Sequence, residues 1–373
     1  MSLKGHAASY RGVGQPMELC EYEVPAPEPG GAILRTTLAN ICGSDLHQWR
    51  GEFDLVAFGR PMPQILGHEM TGRIHELGVG LTHDRRGLPL KAGDRVVFSY
   101  MNPCGVCPAC RKGVTRACPT LRGYLMQSSD TPPHFCGAFA EFFYLRPHMA
   151  VFKVPDELTD DMVAGINCAL SQVVAGLHIA GLRPGETVAL QGAGGLGVYA
   201  TAVAKEMGAG KVIAIDERKE RLKLARAFGA DEVVDIRELR DPAARAARVR
   251  ELSDGWGADV VMELAGHPRV VDEGLRMLGR TGRYVEIGNI NPGLRCEIDP
   301  SQLIFTNLTL YGISYYEPEH LSWALDLLAR TRTKYPWDRV ISHKFPLAAI
   351  NEAFAAADRG EVTRAAIAFE GRG

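Results

Sequence analysis

Val188-Ala-Leu-Gln-Gly192-Ala-Gly194-Gly195-Leu196-Gly197 decides the fold. An apolar run enters a glycine cluster and leaves it as the start of a helical pattern. Gly192, Gly194 and Gly197 fill the spacing G-x-G-x-x-G. In a dinucleotide site the first glycine permits a tight turn, the second lets a pyrophosphate approach the backbone, and the third lets helix and strand pack closely. A helix that begins at Gly195 and Leu196 would turn unpaired N–H groups and the positive end of its dipole toward that phosphate. The glycine spacing alone also suits a plain tight turn. The strand–turn–helix context makes the sharper case, and Asp216 closes the next apolar run, 24 residues after Gly192. An acid there accepts the ribose hydroxyls of NAD and repels the 2′-phosphate of NADP. Arg218 and Arg221 lie close by and could receive a phosphate instead, or simply belong to a solvated helix face.

Outward from this loop, short apolar runs at 187–191, 212–216, 232–235, 259–264, 283–287 and 308–312 alternate with helical patterns such as 195–207 and 218–228. Alternation of this kind predicts βαβ units and a parallel sheet, and six runs are what a complete dinucleotide fold requires. Upstream the texture differs. Residues 1–160 are rich in Gly and Pro, with β-like runs at 32–37, 72–77, 95–98 and 139–145, the pattern of an all-β, barrel-like domain. A chain of 373 residues is expected to divide into two domains.

Four cysteines, Cys104, Cys107, Cys110 and Cys118, stand in the spacing C-x2-C-x2-C-x7-C. A redox pair needs two thiols; four can close a tetrahedron around Zn²⁺ and leave no open position, which makes a structural site. Pro103, Gly105, Pro108, Gly113 and Pro119 argue against regular helix or strand here. A lobe so poor in apolar residues needs a staple, and zinc can supply it.

A second, dispersed set is Cys42 in Cys-Gly-Ser-Asp-Leu-His47, His68 and Glu69 in Gly-His-Glu-Met-Thr-Gly72, and Cys168 in Asn-Cys-Ala-Leu-Ser171. Singly, each suits a buried thiol or a satisfied core histidine. Jointly, two thiolates and one imidazole leave one tetrahedral position open on zinc for water or an alcohol. Asp45 could orient His68 through its second ring nitrogen, and Ser44 and His47 could pass a proton to solvent. Glu69 could tune the metal or serve as a temporary ligand. Cys20, Cys136 and Cys296 are left as structural or free thiols.

Together, CGSDLH at 42–47, GHEMTG at 67–72, the four-cysteine lobe and GAGGLG at 192–197 resemble the zinc-containing medium-chain dehydrogenase/reductase family, the alcohol and polyol dehydrogenases. The resemblance runs over essentially the whole length. It implies an α/β architecture: a GroES-like β-barrel catalytic domain from residues 1–166 and 314–373, with the zinc lobe at about 102–120, and an inserted Rossmann domain at 167–313. It also implies an active site between the two, two zinc ions per chain, NAD, and dimers or tetramers built through the Rossmann sheet edge. Carried over by residue, Cys42, His68 and Cys168 match the catalytic zinc ligands, Ser44 and His47 the proton relay, and Asp45 and Glu69 its surroundings. Asp216 and Arg221 match ribose contacts, and Arg364 a coenzyme-phosphate contact. Cys168 stands where the polyol and threonine branches usually place Glu. Gly43 replaces an arginine of the animal enzymes, and Gln172 a threonine near the nicotinamide.

The expected reaction is reversible NAD-linked oxidation of an alcohol to a ketone or aldehyde. Trp49 and Phe53 follow the relay histidine and could line an apolar pocket for bulky or cyclic secondary alcohols, or pack within the β domain. A zinc-free quinone or enone reductase on the same fold would not need both thiol sets. A non-catalytic dinucleotide-binding protein would be expected to have lost a ligand. Net charge of −2 without a basic block gives no case for nucleic acid or a membrane surface. No apolar run approaches the length of a bilayer span, and the N-terminus lacks a secretory pattern, so a cytoplasmic enzyme is expected.

Overall fold

The computed structural model describes residues 2–369 and divides into two compact units. The first holds Met1–Cys168, Tyr316–Arg330 and Trp337–Gly373; the second holds Ala169–Tyr315 and Thr331–Pro336.

The first unit is built on two sheets. One has three strands in the order Glu18–Glu23, Lys4–Tyr10, Gln64–Ile65. The other has seven. Its path runs His343–Pro346, Ala365–Ala368, Ala32–Asn40, Glu69–Leu77, Arg95–Phe98, Val151–Lys153, and Phe142–Leu145 pairs beside Ala32–Asn40. The chain's last strand therefore joins the sheet that its first hundred residues begin, with Ala366 opposite Asn40. Strand Ala32–Asn40 is central because its side chains are buried almost throughout. Asn40 faces Glu69 across the ladder, so the two segments carrying metal-type donors leave this sheet side by side.

In the second unit six parallel strands lie in the order Glu232–Asp235, Lys211–Asp216, Thr187–Gln191, Ala258–Glu263, Leu278–Glu286, Thr309–Gly312. Parallel strands covered on both faces must be apolar along their length. Val188, Ala189, Leu190, Val212, Ile213, Val260 and Val261 are accordingly fully buried. Burial of each larger aliphatic side chain stabilises the sheet by about 1.5–3 kcal/mol. The order reverses beside Thr187–Gln191, the strand that leads into the glycine loop, which is where open α/β sheets bind ligands.

Two expectations need correction. The cysteine lobe contains a helical turn, Pro108–Arg111, and a 3-10 turn, Thr115–Ala117. Pro108 occupies the first turn, where a missing N–H costs nothing, so proline starts this helix rather than preventing it. One helical run, Asp160–Ile179, does have the length and hydropathy of a bilayer span, but 78% of its apolar window is buried inside the protein. It is a core helix.

Candidate metal centre and dinucleotide loop

Cys42 precedes a seven-residue helix, Gly43–Trp49. Asp45 Oδ2 accepts the Cys42 backbone N–H at 2.9 Å, which fixes the helix start. The other oxygen, Oδ1, lies 3.3 Å from His68 Nδ1. One carboxylate thus sets both the Cys42 turn and the ring of His68, leaving Nε2 of His68 for a ligand role. Cys168 arrives on a different element, a π-helical turn at Ile166–Leu170.

The donor atoms of Cys42, His68, Glu69 and Cys168 all lie within 4.8 Å of one another. Cys42, His68 and Glu69 are buried. A hydrogen bond from Cys168, and then His68, hold the Cys42 thiol well below its ordinary range against the opposing effect of burial. Burial alone would push His68 down, but Asp45 and Cys42 outweigh it and raise the imidazole to about 10. The same proximity to Cys42, with burial, pushes Cys168 well up. Two thiols packed this closely in the interior cannot both ionise unless a cation gathers them. The donor set fits zinc with room for one further ligand.

Glu69 does not face this set alone. It forms a buried ion pair with Arg364, whose side chain is only 4% exposed. Arg364, expected at a coenzyme phosphate, is the counter-charge of Glu69 inside the first unit. Tyr100, which sequence reading passed over, places its ring edge-on to His68 with centroids 4.9 Å apart. Its hydroxyl donates to Cys168 Sγ at 3.8 Å. His47 Nδ1 contacts the Glu52 carboxylate, also unanticipated, and the Glu52 backbone N–H returns to the His47 carbonyl at 2.9 Å. Ser44 is half-buried on the same helix. Trp49 is half-buried and packs on Phe354 of the β unit, centroids 6.0 Å apart. Phe53 stacks flat on Phe58 at 4.4 Å. Gln172 donates to the Ile313 carbonyl at 3.0 Å.

The sulfur atoms of Cys104, Cys107, Cys110 and Cys118 likewise lie within 4.8 Å of one another. Backbone N–H groups point at them: Cys107 to Cys104 Sγ at 3.3 Å, Cys104 to Cys118 Sγ at 3.4 Å, Cys110 to Cys107 Sγ at 3.5 Å. Burial opposes ionisation of Cys118, but the Cys104 N–H and the Thr120 hydroxyl draw its thiol down to about 6. Such N–H donors favour thiolates, the form a metal binds. Glu317 anchors the lobe by accepting from the backbone N–H groups of Thr115 and Arg116, each at 3.1 Å, and from the Arg116 guanidinium at 3.0 Å.

In the second unit Gly192 has φ +105°, a conformation other residues avoid. A side chain at Gly197 would strike the Gly192 carbonyl at 2.0 Å. Helix Gly195–Glu206 starts at Gly194 without a side-chain cap. A Cβ at Gly194 would meet only the tip of Arg221, at 3.7 Å, so the approach to these N–H groups is open. Asp216 is buried; its oxygens accept from Ala193 N–H at 2.8 Å and Arg218 N–H at 2.9 Å, and Arg221 stands 3.6 Å away. Each carboxylate oxygen keeps a lone pair for a ribose hydroxyl.

Residues 28–156 match the alcohol dehydrogenase GroES-like domain, and residues 195–330 match the zinc-binding dehydrogenase domain. The chain is 34% identical over 349 residues to 5-exo-hydroxycamphor dehydrogenase of Pseudomonas putida, covering 93% of this chain and 94% of that protein. It is 32% identical to L-threonine 3-dehydrogenase of Pyrococcus horikoshii, covering 89% of each. Among solved structures, an alcohol dehydrogenase from Thermotoga maritima superposes with a TM-score of 0.91 at 29% identity, covering 99% of this chain and 100% of that one.

Proposed function

The chain belongs to the zinc-containing medium-chain dehydrogenase/reductase family, and on that premise we propose that it oxidises a bulky, cyclic secondary alcohol reversibly to its ketone with NAD. The observation that carries this reading is the convergence of Cys42, His68 and Cys168, backed by Glu69, within one unit. Those three residues would hold the catalytic zinc, and the four-cysteine lobe a second, structural one. When bound, zinc there supplies Lewis acidity to a hydroxyl group and the dinucleotide supplies the hydride acceptor. Asp45 fixes the tautomer of His68 so that Nε2 serves as ligand. Ser44 and His47 carry the released proton outward, and Glu52, against His47 Nδ1, is the next acceptor toward solvent.

For the coenzyme, the uncapped helix at Gly194 takes the pyrophosphate and Asp216 the ribose. The buried Asp216 carboxylate supports NAD over NADP; Arg221 at 3.6 Å moderates the preference. For the substrate, the stacked Phe53 and Phe58 pair on the loop after the relay helix supports an apolar, bulky alcohol. The hydroxycamphor dehydrogenase relative is named for a substrate of that class. The exposed edge of the six-stranded sheet supports a homodimer or homotetramer. The cytoplasm, where thiolate ligands stay reduced, suits the enzyme.

Reduction of NAD⁺ and NADP⁺ by primary, acyclic secondary, cyclic secondary and polyol alcohols and by L-threonine tests this reading. The expected result is NADH formation fastest with a cyclic secondary alcohol. Turnover confined to polyols, L-threonine or NADP⁺ would contradict it.

A further inference from the structure

We propose that Asn167 is a positioning residue for the catalytic metal centre: its side-chain amide clasps the backbone of Met70 and so holds Cys168 at ligand distance from His68. The inference rests on the reading of Cys42, His68 and Cys168 as a zinc site.

Asn167 is fully buried and immediately precedes Cys168. Both ends of its amide go to one residue. Nδ2 donates to the Met70 carbonyl at 3.0 Å, and Oδ1 accepts the Met70 N–H at 3.2 Å. Met70 lies two residues beyond His68 on strand Glu69–Leu77. The next strand, Arg95–Phe98, pairs only with Gly72 and Arg73. At Met70 the amide takes the place that a neighbouring strand would fill. Because donor and acceptor are both engaged, the side chain can neither flip nor slide along the strand without breaking a buried bond.

The turn that carries Cys168 needs such a clasp. Ile166–Leu170 is a π-helical turn, which inserts an extra residue and disturbs the regular ladder. The Asn167 carbonyl there accepts a hydrogen bond from the hydroxyl of Tyr316, which is fully buried. Side chain and main chain of Asn167 are thus both pinned, and Cys168 is the next residue. The two thiolates and the imidazole come from three separate segments, and this clasp ties the segment of Cys168 to that of His68. Leucine or alanine at 167 would satisfy the apolar surroundings but leave both Met70 groups buried without partners.

Cobalt-substituted protein tests the proposal, because Co²⁺ absorption reports ligand identity and geometry without turnover. Wild type, Asn167→Ala, Asn167→Asp and Tyr316→Phe would be compared for metal per chain, metal retention against a chelator, and visible spectrum. In Asn167→Ala the second metal is expected to be lost at roughly tenfold lower chelator concentration, with an altered spectrum. The four-cysteine metal should stay. Asn167→Asp, which sets a carboxylate oxygen against the Met70 carbonyl, should behave similarly, and Tyr316→Phe should shift in the same direction by less. Wild-type affinity and an unchanged cobalt spectrum in the Asn167 variants would overturn the proposal, even with a lower melting temperature. Should both Asn167 variants fail to fold, the same null result in Tyr316→Phe overturns it. Wild type that takes up only one metal per chain would remove the zinc reading itself.

Discussion

Replacing Cys42 by alanine removes one of the two thiolates from the open donor set and leaves the residues of the glycine loop unchanged. Turnover is expected to vanish while NAD binding, followed by fluorescence titration, stays near wild type. Asp216 can be tested the same way. Asp216→Ala removes the acid that accepts ribose hydroxyls and repels a 2′-phosphate, so the ratio of kcat/KM for NAD⁺ to that for NADP⁺ should fall at least tenfold, about 1.4 kcal/mol. An unchanged ratio would remove Asp216 from coenzyme selection. Arg364→Met would leave the Glu69 carboxylate buried without its counter-charge, a change that typically costs about 3–5 kcal/mol. A clear drop in the melting temperature is expected; an unaltered melt would mean the pair is not the buried contact described. The donors at 42, 68 and 168 were readable because each sits in a short motif with its own chemistry. The pairing of Arg364 with Glu69 was not, because the two lie 295 residues apart and a local pattern carries no sign of it. Asn167 and Glu52 were missed for a related reason: a single amide or acid carries no periodicity, and its meaning comes only from the backbone or ring it meets.

The elements whose role is to be buried were legible as hydrophobic runs. Thr187–Gln191, Glu232–Asp235 and Arg95–Phe98 fall where the apolar runs place them. Strand Leu278–Glu286 begins before the expected run at 283–287, since Arg280 and Thr281 are exposed and interrupt the pattern. At the ends of two neighbouring strands, Glu263 and Glu286 stand opposite each other. Three backbone N–H groups, of Ala265, Gly266 and Gly288, donate to Glu263. Burial first, and then Glu286, nonetheless raise Glu263 from 4.5 to about 8. Between those values the folded protein binds more protons than the unfolded chain, so this group's stabilisation is complete below 4.5 and is lost as pH rises through 8. Glu286→Gln removes the second cause and should make the decline of melting temperature between pH 5 and pH 8 shallower, each relieved pKa unit being worth about 1.4 kcal/mol. A parallel pair of pH curves would contradict the coupling. The cysteine lobe is the opposite kind of element, held by ligands rather than by a core. Cys104→Ala should speed hydrogen exchange across residues 102–120 before it slows catalysis; unchanged exchange there would mean that zinc does not hold the lobe.

Across the whole molecule, the two sets of motifs fall to different units: the metal donors to the β unit, the phosphate loop to the parallel sheet. The sheet's last strand, Thr309–Gly312, pairs on one side only. Near it Ile304 and Phe305 are each 72% exposed. An unpaired edge with apolar neighbours invites association. Phe305→Asp is therefore expected to shift the sedimentation coefficient toward a monomer, and a monomeric wild type would contradict the edge as an interface. On our proposal the donor set at 42, 68 and 168 is a catalytic zinc site for alcohol oxidation. Counting zinc per chain alongside NADH formation from a cyclic secondary alcohol, during stepwise chelation and readdition, tests it most directly. Two zincs per chain are expected, with activity that disappears on loss of the more labile one and recovers on its return. Full turnover in protein stripped to the four-cysteine zinc alone would contradict it.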